Sequence, residues 1–163
     1  MYYCYLETPI GHLLLAGDQD ALRGVGFPQG SMRRDPDPDW IHSEKPFAQA
    51  RAQLGEYFAG ERKTFDLPLN PCGTAFQLEV LEELRKIPYG ATASYGEIAE
   101  RIGRPEAARA VGAANGRNPI PIIIPCHRVI GKSGDMTGFG GGIPTKEALL
   151  RLEFEHSQIL NNR

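Results

Sequence analysis

The chain has 163 residues, 41% hydrophobic and 23% charged, which bounds it to one large domain or two small ones with a real core. A net charge of −2 gives no global sign of nucleic-acid affinity, and no apolar stretch approaches the roughly 18 residues of a membrane-spanning helix. Met1-Tyr2-Tyr3-Cys4-Tyr5 lacks the basic start and apolar core of a secretory signal, and the widely spaced Cys4, Cys72 and Cys126 argue against a disulfide framework, so a cytoplasmic location is expected.

The first part alternates short β-like runs with turn residues. Tyr2 to Leu6, His12 to Ala16 and Ala21 to Phe27 predict an antiparallel meander, with Pro9-Ile10-Gly11 between the first two. Asp35-Pro36-Asp37-Pro38-Asp39 reads as an acidic loop, and Phe47, Ala50, Leu54, Tyr57 and Phe58 then recur at helical spacing up to Gly60. Residues 1–65 are expected to be a scaffold domain, with Phe65 to Asn70 as a linker into a second domain over 66–163. The fold class is thus α+β: a small β-meander with a helix, then a mostly helical domain.

In that second part, Thr74 with Gln77 forms a capping box, and Phe76, Val80, Leu81, Leu84 and Ile87 give a helical apolar face. Ser94 with Glu97 repeats the device before a short helix through Ile102. Gly103-Arg104 breaks that helix, and Pro105 at the first helical position opens another over Glu106 to Ala114, closed by Asn115-Gly116. Two short helices joined by a Gly-containing turn form a helix-turn-helix pattern. The second, Ala107-Ala108-Arg109-Ala110-Val111-Gly112-Ala113-Ala114, is nearly free of bulk, so its backbone can approach another helix or DNA closely. Residues 101–132 carry +5, leaving −7 on the rest; a basic segment on an acidic chain suits phosphate contact, and equally a solvated helix face.

Ile122-Ile123-Ile124-Pro125-Cys126-His127-Arg128-Val129-Ile130 reads as buried strand interrupted by polar residues, which need partners because an unpaired buried polar group costs roughly 1–3 kcal/mol. Cys126 is either a core thiol beside a satisfied histidine or a nucleophile activated by a nearby base or positive charge. The histidines at 12, 42, 127 and 156 are scattered, so a zinc site would have to gather ligands from distant segments.

Pro125-Cys126-His127-Arg128-Val129, Arg109-Ala110-Val111-Gly112, Asn118-Pro119-Ile120-Pro121 and the Gly-rich loop Gly138-Phe139-Gly140-Gly141-Gly142 together resemble the O6-alkylguanine-DNA alkyltransferase family. The likeness is dense over about 70–156; over 1–65 it rests on Thr8-Pro9-Ile10-Gly11 and the strand pattern. It implies direct damage reversal, in which an alkylated guanine is flipped from double-stranded DNA and its alkyl group moves irreversibly to a cysteine, once per protein molecule. By resemblance Cys126 is the acceptor, His127 the base acting through a water, and Glu153 the carboxylate that orients the histidine. Asn118 braces the active-site turn, Tyr95 hydrogen-bonds the flipped base and presses on the DNA backbone, and Arg109 enters the base stack. Ala110 and Gly112 let the helix into the minor groove, while Arg104 and Lys132 contact phosphates. Pro121, Val129, Phe139, Gly140 and Gly141 line the base pocket, the amides of Val129 and Gly140 donating to guanine.

The partner so implied is a duplex carrying O6-alkylguanine or O4-alkylthymine, bound by a monomer without cofactor, metal or membrane. Glu153 shares a helical face with Leu149 and Leu152, where an acid wants a partner; read alone it would be an exposed helical acid, and the His127 partner that the resemblance implies reverses that reading. Leu81 stands where many family members have Trp, Phe139 replaces a tyrosine of some relatives, and Gly140 stands where some carry Ser, which widens the pocket toward adducts such as benzyl. Two rival classes remain: a cysteine hydrolase, which leaves the Arg109 helix without a purpose, and a non-catalytic lesion sensor, which has no need of Cys126.

Overall fold

The computed structural model describes residues 1–161 apart from Met32, Asp135 and Thr137, with 158–161 described by backbone alone. β1 (Tyr2–Thr8) and β2 (Gly11–Gly17) form an antiparallel hairpin in register from Tyr2 opposite Gly17 to Thr8 opposite Gly11. Thr8 closes its turn, donating from Oγ1 to Gly11 O (2.7 Å) and accepting from Ile10 N (3.2 Å), while Gly11 takes a φ of 104° that a side chain would resist. β3 (Leu22–Gly26) continues the meander, and a short β4 (Ile41–His42) joins β1 in parallel, giving the order β3-β2-β1-β4.

α1 (Ala48–Phe58) buries Ala50, Leu54 and Tyr57 of the predicted apolar face, while Phe58 is half-buried and Phe47 is buried just before the helix. Residues 67–70 do not run free: Leu22 N donates to Pro68 O and Asn70 N to Leu22 O, both at 2.9 Å. β3 also reaches the far half of the chain, Val25 N donating to Pro119 O (2.9 Å). One apolar core runs from Leu13, Leu15 and Tyr57 through Val80 and Leu84 to Ile98, Val111 and Leu149.

The second half contains α2 (Ala75–Leu84), β5 (Ala93–Ser94), α3 (Tyr95–Arg101), α4 (Ala108–Gly116), β6 (Val129–Ile130) and α5 (Ile143–Asn161). Thr74 and Gln77 make the expected reciprocal capping box on α2. Ser94 makes only the first half on α3, accepting from Glu97 N (3.1 Å); Glu97 instead lies 3.6 Å from Arg101, one turn on.

Two expectations need correction. α4 begins at Ala108, and Pro105 is not its first residue: Ala107 N bonds to Arg104 O (2.9 Å), so Pro105 serves the second position of a turn whose φ it presets. Nor is 122–130 a strand. Pro119, Pro121 and Pro125 remove ladder donors, Ile124 N turns back to Ile120 O (3.0 Å) and Ile124 makes a lone bridge with Pro121, and Cys126–Arg128 is a turn of 3₁₀ helix; Val129–Ile130 alone forms a strand, in parallel with β5. No helix among the described residues is long and apolar enough to cross a membrane.

Candidate active site

Asn118 holds the approach to Cys126 from both sides. Its amide donates to Ile124 O (2.8 Å) and its carbonyl oxygen accepts from Ile120 N (3.0 Å), so the intervening backbone folds back on itself. Within that loop Ile122 takes a φ of 74°, a left-handed conformation that costs a β-branched residue about 1–2 kcal/mol and persists because the side chain is locked in the core, 1% exposed. Asn115 of α4 adds a bond to Cys126 O (3.3 Å). Sequence and packing thus fix Cys126 at the head of a rigid turn, 4% exposed.

Behind the thiol lies a buried ring of charge. Glu153, at 0% exposure, receives five donors: His127 Nε2 (2.6 Å), Tyr57 Oη (2.6 Å) and Arg128 Nη2 (3.1 Å) on Oε2, and Arg128 Nε (2.8 Å) and Gly90 N (3.3 Å) on Oε1. Arg128 also donates to Ile87 O (2.7 Å). Burial alone would raise the Glu153 pKa, but His127 and Arg128 outweigh it and hold the carboxyl far below its usual range. For His127, burial disfavours the charged ring and wins over the Glu153 carboxylate, so its pKa is lowered. A neutral ring that donates through Nε2 to an ionised carboxylate leaves a lone pair on Nδ1, which has no protein partner among the described residues.

Burial pushes the Cys126 thiol up to about 11, against the Asn118 side chain and the charge of Lys146. Lys146, fully buried one turn into α5, donates to Val129 O (2.6 Å) and ties the end of the cysteine turn to the helix that carries Glu153. At rest the sulfur is therefore a thiol, and a base must take its proton before it can attack.

Cys126 lines a small cleft that is partly open to solvent. Of the residues placed in the pocket by resemblance, Pro121, Phe139 and Gly140 line this cleft, with Asn115, Asn118 and Gly138. Val129 and Gly141 do not: Val129 is buried at the foot of the turn, and Gly141 packs on Phe27 so closely that a Cβ there would meet the ring at 2.7 Å. Part of the wall comes from the N-terminal half, in Val25, Phe27 and Arg34.

A family model described as the DNA binding domain of 6-O-methylguanine DNA methyltransferase matches residues 75–155, and one for that protein's ribonuclease-like domain matches 1–71. The chain belongs to the 6-O-methylguanine DNA methyltransferase family. It is 53% identical over 153 residues to the methylated-DNA–protein-cysteine methyltransferase of Methanosarcina acetivorans, covering 94% of this chain and 98% of that one. The Mycobacterium tuberculosis OGT, crystallised in complex with DNA, is 49% identical with a TM-score of 0.90, over 96% of this chain and 94% of that one. At 23% identity and a TM-score of 0.62, the O6-methylguanine-DNA methyltransferase of Pyrococcus kodakaraensis shares the fold, over 93% of this chain and 98% of that one. The resemblance read from the motifs and the α+β class both hold.

In this methyltransferase fold Tyr95, Arg104, Arg109, Ala110 and Gly112 lie on α3, α4 and the turn between them. Arg109 and Ala110 are exposed on α4, and Gly112 lies against the Tyr95 ring, its added Cβ meeting Tyr95 at 3.7 Å. Arg104 is not a free cation: it stacks 5.4 Å from Phe76 and sits 3.9 Å from Glu79. Lys132 is exposed after β6. Sequence reading missed Tyr57, Lys146, Phe27 and Arg34. Tyr57 sits on a regular apolar stripe and so looked like plain core, and nothing local in the sequence marks Lys146 as buried.

Proposed function

We propose that this chain repairs DNA by moving a methyl group from O6-methylguanine in a duplex to Cys126, irreversibly and once per molecule, in the cytoplasm and without cofactor. The observation that supports this most is His127, with Nε2 committed to Glu153 and Nδ1 left without a protein partner among the described residues, next in the chain to a thiol that lines a cleft. A water between the two carries the Cys126 proton to Nδ1, and Glu153, already ionised, stabilises the imidazolium. The thiolate sulfur then forms a bond to the methyl carbon while the carbon–O6 bond breaks and its electron pair stays on guanine. The proton held by His127 equals the one that the leaving guanine finally takes up, and Tyr95 is the donor expected to assist it. The thioether has no route back, so each molecule acts once.

Reaching O6 requires the base to leave the stack, which costs a few kcal/mol in a duplex. The exposed Arg109 on a small-residue helix fits that step: its planar guanidinium fills the space of the missing base and donates to the orphaned partner. Lys132 supplies a phosphate contact, and Arg104 can do so by leaving Glu79, a surface pair worth little. Intact-protein mass after incubation with a duplex carrying one O6-methylguanine, followed by peptide mapping, tests the reading. One methyl on Cys126, saturating at one per protein, is expected; tight binding without mass gain would make the chain a lesion sensor.

A further inference from the structure

We infer that Tyr57, on α1 in the N-terminal half, is a positioning residue of the transfer reaction, its phenol competing with His127 for one oxygen of Glu153. The inference rests on the reading above that His127 takes the Cys126 proton. Three donors converge on Glu153 Oε2, from Tyr57 and His127 at 2.6 Å each and from Arg128 at 3.1 Å, whereas Oε1 receives two. A carboxylate oxygen offers about two lone-pair directions, so these donors share what it has. Whatever the phenol takes weakens the support that the carboxylate gives to a protonated imidazole.

The geometry leaves Tyr57 no other use for its hydroxyl. The ring is fully buried, braced edge-on by Phe58 (5.2 Å) and Tyr89 (6.2 Å) and tilted against Phe65 (5.5 Å), so its hydroxyl cannot swing to solvent. Burial, and then the Glu153 charge, raise the Tyr57 pKa well above its ordinary value, so the group stays a donor throughout the working range. The consequence is a histidine kept neutral, hence able to accept a proton, to lower pH than a lone His–Glu pair would allow. The N-terminal half then acts in the chemistry as well as in folding.

The other groups facing this relay are Cys126 and Arg128 from its own turn, Lys146 from α5 and Tyr89 from the segment before β5. All are unchanged in Tyr57→Phe, which removes only the hydroxyl. The test is the pH dependence of single-turnover methyl transfer from an O6-methylguanine duplex by the full chain. In Tyr57→Phe the acidic limb should move up by about half to one pH unit, the worth of one shared hydrogen bond, with transfer roughly three- to tenfold slower near pH 6 and the rates converging at alkaline pH. A limb that stays in place or moves down overturns the inference, even if the variant melts earlier.

Two further measurements keep the outcome decisive. The His127 ring titration, followed by NMR in both proteins without DNA, should shift by the same amount and does not depend on methyl transfer; an unshifted titration overturns the inference. If wild type fails to gain a methyl on Cys126, the functional reading falls while this titration still decides the coupling. Should Tyr57→Phe not fold, 3-fluorotyrosine at position 57 donates more strongly and should move the limb down; no movement there likewise overturns it.

Discussion

Glu153→Gln puts the buried charge ring to the hardest test. The substitution keeps volume, so no cavity opens, and its cost is electrostatic. Five donors point at the carboxylate, and an amide has only one oxygen; whichever way it faces, its NH₂ opposes at least two of them. Arg128, 6% exposed, is left with Ile87 O and the Tyr89 ring, 5.7 Å away, but with no opposite charge. Breaking a buried ion pair by removing one partner costs about 3–5 kcal/mol. For a chain of this size that is a fall in Tm of roughly 6–20 °C.

Circular-dichroism melts of the unalkylated protein at neutral pH read this directly. A second substitution sharpens the cause: with Arg128→Met added, no unpaired charge remains, and about half or more of the loss should return. A Glu153→Gln protein melting within about 2 °C of wild type would refute the reasoning. So would a double variant no more stable than the single one.

Three other outcomes follow from the same geometry. Arg109→Ala should slow repair of duplex far more than reaction with the free alkylated base, because extrusion costs a few kcal/mol only in the duplex; equal losses in single-turnover assays on both would remove Arg109 from that step. Stability should fall with acid in two stages: His127 and Glu153 both have lowered folded pKa values, so what they contribute is complete above their ordinary 6.5 and 4.5 and is lost as pH falls through each folded value. Urea midpoints that stay flat from neutral pH to about pH 4 would contradict this. Ile122→Gly should be destabilised less than Ile122→Ala by about 1 kcal/mol in urea titrations, since both open the same cavity and only glycine relieves the 74° φ; alanine as the better residue would show that the backbone holds no strain there.

The residues that carry local information were legible as a sequence. Alternation gave the meander, and the apolar period gave α1 and α2, because each pattern reports which face of an element is buried. The Thr74 cap needed only a neighbour three residues away. The Cys126-His127 pair and its likeness to the alkyltransferases marked the chemistry, and Glu153 was matched to His127 through that likeness, since its helical stripe alone reads as an exposed acid. The start of α4 was misplaced because Pro105 suits the second position of a turn as well as the first of a helix, and only the Arg104–Ala107 hydrogen bond separates the two. The run 122–130 looked like strand because isoleucine favours strands, yet a proline-broken ladder and the Asn118 brace prevail over propensity.

What the tertiary structure alone decided is what comes from far along the chain. Tyr57 and Glu153 are 96 residues apart, and nothing in either neighbourhood distinguishes a phenol aimed at a carboxylate from one packed in a core. Lys146 has a charged residue's composition and a core residue's position, and Phe27 and Arg34 reach the cleft only because β3 docks beside Pro119. Sequence fixes residue types and local periods; which polar atoms share one buried oxygen depends on how two halves of the molecule pack, and that is set by long-range burial rather than by any local pattern.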